Sequence, residues 1–375
     1  MIYLDHNATT PVLPEVLDAM LPFLATHFGN PSSGHGFGAA PRAAVTRARE
    51  QVAGLLGCEP DEVIFTSGGT EANNLAIRGV AEASARRGLV TSAIEHPATW
   101  EPCDWLAERG WRVTRLLAGA DGRVRVAEAA EAIGSDTALV TVMHANNETG
   151  VLQPIRELAE LARASGALTH TDAAQSAGKV PVRVRELGVD LLSLAGHKLY
   201  APKGVGALFV RRGVRLTPVL RGAGQETGLR PGTENVPGIV GLGAACELAA
   251  RDLESEAKRV RELRDSLWDA LRARVPGLTL NGHVELRLPN TLNVRFPGVS
   301  GAAVLRGAPD VAASTGAACH GERETPSESI LALGVSRDEA LGSARLTLGR
   351  ATTKAEIELA AKALAQSWLA LTRKE

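Results

Sequence analysis

The sequence has few cysteines, almost no net charge and no long apolar run, and each shortage removes a class of protein. The four cysteines (Cys58, Cys103, Cys246, Cys319) are scattered over 375 residues with no C-x-x-C pair. That argues against a disulfide framework or a cysteine-rich zinc site and suits a reducing cytosol; no metal site is expected. With 41 basic and 42 acidic residues the formal charge is −1, so there is no electrostatic case for nucleic acid or an anionic membrane as main partner. No uninterrupted apolar run approaches the roughly 20 residues that span a bilayer. The N-terminus, Met1-Ile2-Tyr3-Leu4-Asp5-His6, lacks a basic region followed by an apolar one. No export signal is therefore expected, and the cytoplasm is the expected compartment. Internal repeats and low-complexity segments are missing too.

What is present is an alternation. Hydrophobic residues make up 45% of the chain and charged residues 22%, the balance of a folded, soluble protein. The length suits a large core divided between two domains. After an extended arm (YLDHNATT) and an amphipathic helix from Pro14, helical spacing over 39–56 precedes a strand at 62–66 and a helix at 71–80. Strand patterns at 89–93, 112–117, 137–143 and 168–171 then alternate with helical ones at 98–109, 126–133 and 155–164. This predicts an α/β domain with a largely parallel sheet, in which ligands collect beyond the carboxyl ends of the strands. After Gly238 the character changes. A long charged helical stretch at 241–273 leads into an α+β part with strands at 291–296 and 344–348 and a last helix at 354–371. The expected division is a large domain over 15–245 and a small one made of 1–14 plus 246–375.

The polar loops at the predicted strand ends carry the chemistry. Lys198, in AGHKLYAPKG, lies between apolar segments at 189–194 and 205–210. A flexible cation there either snorkels to the sheet rim or has a covalent task. Ser67-Gly68-Gly69-Thr70 joins a strand to a helix and leaves small residues, N–H groups and the Thr70 hydroxyl for an anion. It matches neither G-x-x-x-x-G-K-[ST] nor G-x-G-x-x-G, which weakens nucleotide readings. Asp172 ends a strand in HTDAAQ and suits either a buried, ligand-facing carboxylate or a helix N-cap. His96, in Ile94-Glu95-His96-Pro97, also falls at a strand end, where a lone histidine more often serves structure. Jointly, an anion cradle, a ring able to stack, a strand-end aspartate and a lysine 26 positions after it point to pyridoxal 5′-phosphate. Lysine forms the Schiff base, and the acid pairs with the ring nitrogen.

The segments YLDHNATT, NPSSGH, FTSGGTEANN, EHPA, MHANNETG, TDAAQSAGK, AGHKLYAPKG, GAGQETGLRPGTEN, STGAACHG and SARLTLGR resemble, in order, those of the NifS/IscS-type cysteine desulfurases across nearly the whole chain. The resemblance implies the aspartate-aminotransferase-like fold of pyridoxal-phosphate enzymes (fold type I): a large domain with a mainly parallel seven-stranded sheet, a smaller α+β C-terminal domain, and a homodimer. It implies Lys198 as the Schiff-base lysine, His96 stacked on the pyridine ring and Asp172 on its nitrogen. Gln175 would bond the ring oxygen, and Asn147 would orient ring or substrate. Gly69, Thr70, His197 and Thr233 of the other subunit would hold the phosphate. Arg345 would clamp the substrate carboxylate, a task for a planar bidentate donor. Cys319 would be the nucleophile, on a polar segment without apolar periodicity, whereas Cys58, Cys103 and Cys246 sit in or beside helical patterns as packing residues.

The implied activity converts L-cysteine to L-alanine and leaves a persulfide on Cys319, for transfer to an acceptor such as an iron–sulfur scaffold or a tRNA-thiolation carrier. His96 is a candidate acid–base partner for the substrate thiol. Two positions depart from the family pattern. Ala195 stands where a serine is usual, which removes a hydroxyl donor to the phosphate, and Ala201 replaces a frequent glycine. Ser193, two residues earlier on the same strand face, is the candidate to compensate. The rivals are a selenocysteine lyase, whose Gly-Ala-Ala-Cys-His segment is similar to residues 316–320, another pyridoxal enzyme such as an aminotransferase, and a non-catalytic assembly protein on the same fold.

Overall fold

A computed structural model of the chain describes residues 1–315 and 325–373. Its strands are β1 (Ile2–Tyr3), β2 (Val63–Thr66), β3 (Gly88–Ser92), β4 (Arg112–Leu116), β5 (Thr137–Thr141), β6 (Leu168–Asp172), β7 (Leu191–Ala195), β8 (Gly206–Val210), β9 (Thr279–Leu280), β10 (Thr291–Arg295), β11 (Val311–Ala312) and β12 (Ser343–Thr347). Every residue of β2, β3, β5, β7 and β8 is buried, because helices cover both sheet faces; this is why these strands read as continuous apolar runs. Alternation still sorts their side chains. Leu192 and Leu194 enter the core that also holds Val52, Leu158 and Leu242, while Leu191 enters the opposite one with Leu75, Ile77 and Leu106. Ser193 and Ala195 share the second face.

Among the described residues β2–β8 form a seven-stranded sheet in the order β2-β8-β7-β6-β5-β3-β4. β4, β3, β5, β6 and β7 run parallel. β8 is antiparallel to both β7 and β2, so β2 points the same way as the other five. The mainly parallel seven-stranded sheet is as expected. The chain steps from β3 outward to β4 and then back across β3 to β5. That reversal makes a switch point, and the crevice beyond the carboxyl ends is where such sheets bind ligands.

The Val236–Arg272 helix joins the two halves of the molecule. Its 37 residues span about 55 Å. Leu242, Ala245 and Cys246 pack in the large core; Val260, Leu267 and Leu271 pack in a second core with Val294, Leu346, Ile357 and Leu364. That core lies against the antiparallel sheet β12-β10-β9 and also takes Leu4 from the N-terminal arm, whose β1 pairs in parallel with β11. The arm is therefore stitched to the C-terminal part before it reaches the large sheet. Sequence periodicity did not anticipate β1, β9 and β11, which at two residues each show no alternation. The second helix starts at Gly36 rather than Ala39. A side chain at Gly38 would meet the Asn30 and Ser33 carbonyls at 2.6 Å, so the turn-like glycine belongs to a helix start pressed on the preceding turn. Among the described residues no helix is long and apolar enough to cross a membrane.

Candidate active site

Loops from the carboxyl ends of β2, β3, β5, β6 and β7 converge on one edge, and the arm closes it. At the β2 end, Ser67-Gly68-Gly69-Thr70 turns into the Gly69–Ala83 helix. Gly68 caps that helix without any side-chain bond, which leaves the helix start open to an anion. Gly68 has φ 153, a conformation reserved for glycine. A Cβ on Gly69 would lie 3.2 Å from the Ala195 Cβ, so position 195 faces this cradle, as the family comparison expects. The turn is held from behind: the Glu71 carboxylate accepts from the Ser67 N–H (2.8 Å) and from Arg230 Nε (3.0 Å). His197 follows β7. Its Nδ1 lies 3.2 Å from Thr9 Oγ1, and burial lowers its pKa to about 4, with Lys198 and Lys203 adding to the effect.

The middle of the crevice holds the strand-end acids. Asp172 accepts from Asn73 Nδ2 (2.7 Å) and from the Ala174 N–H (2.8 Å). It is therefore a buried carboxylate oriented by two donors rather than a helix N-cap. Asn73, which also donates to Thr99 (3.2 Å), is a supporting residue that the sequence reading missed. His96 does cap a helix: its Nδ1 accepts from the Ala98 N–H (3.1 Å) at the start of the Pro97–Ala107 helix. Burial depresses its pKa and Lys198 pushes the same way, against Asp172. The capping bond fixes the ring's tilt, so the structural reading of His96 holds. Beneath it Glu95 is fully enclosed, bonded to Ser92 Oγ (2.5 Å) and the Met143 N–H (2.9 Å). Burial raises its pKa to about 8, with Asp172 contributing, so near neutral pH this carboxyl carries a proton.

The third part is the lysine end. Lys198 Nζ donates to the carbonyls of Asn7 (2.6 Å) and Ala8 (2.8 Å). Burial brings its pKa down to about 8, Arg345 assists, and Asp172 and Asp5 oppose. A partly buried amine near neutrality is the form a covalent role requires. Gln175 Nε2 donates to the Asn7 carbonyl (3.0 Å), and its Oε1 accepts from Lys179 Nζ (3.2 Å). Arg345 donates to Asp5 Oδ1 (2.9 Å) and to the Asn147 carbonyl (3.1 Å). Among the described residues its Nε, buried, has no partner. Asn7 and Lys179 are further residues of this cluster that the sequence reading did not single out.

The structure thus brings together Gly69, Thr70, His96, Asn147, Asp172, Gln175, His197, Lys198 and Arg345 around one crevice. Among the described residues no hydrogen bond joins Thr233 to that network; it lies exposed just before the Val236–Arg272 helix. Cys319 lies outside the described residues. Cys103 and Cys246 are buried and Cys58 half-buried. Burial raises the thiol pKa of Cys58 and Cys103 to about 12 and that of Cys246 as well, which makes them poor nucleophiles. Ser193 faces the same side as Ala195 but is engaged elsewhere: its Oγ lies 2.9 Å from His170 Nε2, whose Nδ1 meets Thr141 Oγ1 at 2.7 Å.

The family model of the class-V aminotransferases matches residues 2–359. The chain belongs to this family. It is 46% identical over 360 residues to a cysteine desulfurase IscS of Dictyoglomus turgidum, covering 95% of this chain and 91% of the relative. It is 47% identical over 362 residues to a cysteine desulfurase of Gluconacetobacter diazotrophicus, covering 95% and 90%. Among solved structures, a NifS-like protein superposes with TM-score 0.91 at 36% identity, over 97% of this chain and 98% of the other. A protein described as SspA in complex with cysteine superposes with TM-score 0.83 at 37% identity, over 93% and 99%. The fold is that of the class-V, fold-type I pyridoxal-phosphate enzymes. The donor set fits the cofactor: an uncapped helix start for its phosphate, a buried carboxylate for its ring nitrogen, and a lysine amine of lowered pKa for its aldehyde.

Proposed function

We propose that this class-V aminotransferase family member is a pyridoxal-phosphate-dependent cysteine desulfurase that converts L-cysteine to L-alanine and takes the sulfur as a persulfide on Cys319. The observation that carries this is the desolvated Lys198 amine, its pKa near 8, at strand ends shared with Asp172 and His96 and within electrostatic reach of Arg345 on β12, in a chain nearly half identical to proteins named cysteine desulfurase. When bound, the cofactor supplies an electron sink for negative charge at the substrate Cα.

The chain's own groups do the rest. Gly69, Thr70 and His197 would hold the phosphate, with Thr233 of a second subunit. Asp172 would pair with the ring nitrogen, His96 would stack on the ring, and Gln175 would donate to the ring oxygen. Arg345 takes the substrate carboxylate, with Asn147 beside it. Lys198, once free, moves the Cα proton. The Cys319 thiolate attacks the substrate sulfur. The S–S bond forms as the C–S bond breaks, the electron pair stays with the carbon fragment, and protonation there gives alanine. His96 is the acid–base partner of the substrate thiol.

A homodimer belongs to this reading. Leu17, Leu21 and Leu24 on the Pro14–Ala25 helix, with Phe28 and Phe37, form an exposed apolar face of the kind that a partner subunit covers. So does the division into 15–245 and 1–14 plus 246–375, supported by the separate cores. A cytoplasmic location and transfer of the persulfide to an iron–sulfur scaffold or a tRNA-thiolation carrier complete it. The test is incubation with L-cysteine. Equal alanine release and sulfur gain on the Cys319 peptide by mass spectrometry are expected. Cys319→Ala should still bind substrate but release no sulfide to a thiol reductant. Undiminished sulfide from that variant would sink the assignment.

A further inference from the structure

The Lys198 amine rests on two consecutive main-chain carbonyls of the arm, Asn7 and Ala8. A neutral amine has two N–H bonds and one lone pair. With both N–H bonds engaged, the lone pair is left one direction, away from the arm. The lone pair is what accepts a proton from carbon, so its direction governs the rate. Carbonyls on an irregular arm hold a direction only if the arm itself is held.

Asn7 holds it. Its side chain, 1% exposed, donates from Nδ2 to the Asn147 carbonyl (3.2 Å) and Thr291 Oγ1 (3.0 Å). Its Oδ1 accepts from Asn290 Nδ2 (3.0 Å) and Lys179 Nζ (3.4 Å). Its N–H donates to Thr347 Oγ1 (3.0 Å), and its carbonyl also accepts from Gln175. One residue thus ties the Lys198 acceptors to the β5 and β6 loops and to β10 and β12 of the C-terminal part. We propose that Asn7 is a positioning residue for Lys198, holding the Asn7 and Ala8 carbonyls where they aim the free lysine amine at the substrate. This rests on the assignment of Lys198 made above. The charged and titratable groups around the amine are Asp5, Asp172, Arg345, His96, His197 and Lys179.

The test uses the full chain in two variants. In the cofactor-loaded enzyme, solvent deuterium exchange at Cα of L-alanine reads Lys198 proton transfer without Cys319. Asn7→Ala should slow exchange about tenfold or more, while the half-saturating alanine concentration moves less than about threefold. Asn7→Asp keeps the shape and puts a carboxylate, beside Lys179, on the residue whose main-chain carbonyl Lys198 bonds. In protein stripped of cofactor, the pH midpoint of Lys198 acylation should rise from about 8 by about one unit. Exchange within twofold of wild type in Asn7→Ala overturns the proposal; if that variant is insoluble, an unmoved Lys198 midpoint in Asn7→Asp overturns it. Wild-type protein that carries no cofactor on Lys198 overturns the functional reading, and this inference with it.

Discussion

The two ends of the crevice are built on opposite plans. The cradle end is sparse: glycines, Thr70 and Ala195, an uncapped helix start, and a few supporting bonds from Glu71, Arg230, Thr66 and Asn74. The lysine end is dense. Asn7, Gln175, Lys179, Lys198, Asn147 and Arg345 are linked to one another by hydrogen bonds that cross from the arm to both halves of the molecule. An anion needs open N–H groups and room, which small residues give. A group that must hold and move a proton needs a fixed direction and a tuned pKa, which only a connected network gives. Binding and chemistry therefore separate along the crevice.

Substitutions can break that contrast. At the dense end, Lys198→Ala is expected to reduce alanine formation to background while Lys179→Ala leaves cofactor attachment intact; steady-state rates and absorbance spectra check both. Arg345→Lys keeps the charge but loses the planar fork. It is expected to raise the KM for L-cysteine by about ten- to a hundredfold, with a smaller effect on kcat.

The acid beneath His96 gives a pH signature. The folded pKa of Glu95 is raised from 4.5 to about 8, chiefly by burial, so its stabilising contribution is full below about 4.5 and is lost as pH rises through 8. Glu95→Gln should flatten that decline in thermal unfolding measured between pH 5 and 9. The smallest change is expected at the sparse end. Ala195→Ser restores a hydroxyl facing Gly69, worth about 1 kcal/mol or roughly fivefold in cofactor dissociation rate. An unchanged off-rate would mean that the cradle does not need it.

The sequence made the strand-end loops legible because each couples an apolar run to residues of distinctive chemistry, as at Asp172 and Lys198. The mainly parallel sheet followed from the same alternation. The lysine end stayed hidden for a physical reason. Asn7 reaches Asn147, Thr291 and Thr347, 140 to 340 positions away, and no local pattern marks an asparagine whose partners are so distant. Lys179 likewise carries no local mark; its bonds to Asn7 and Gln175 appear only in the fold. Ser193 shows the reverse case. Period-two alternation correctly put it on the Ala195 face, but only the fold shows that His170 has claimed its hydroxyl.

The most direct measurement is to trap bound cofactor by borohydride reduction of the holoenzyme and map the modified peptide. Two lysines of lowered pKa stand in this crevice, Lys198 near 8 and Lys179 near 7, so the outcome is not trivial. The account predicts the label on Lys198 alone. A label on Lys179, or protein that carries no cofactor to trap, would contradict it.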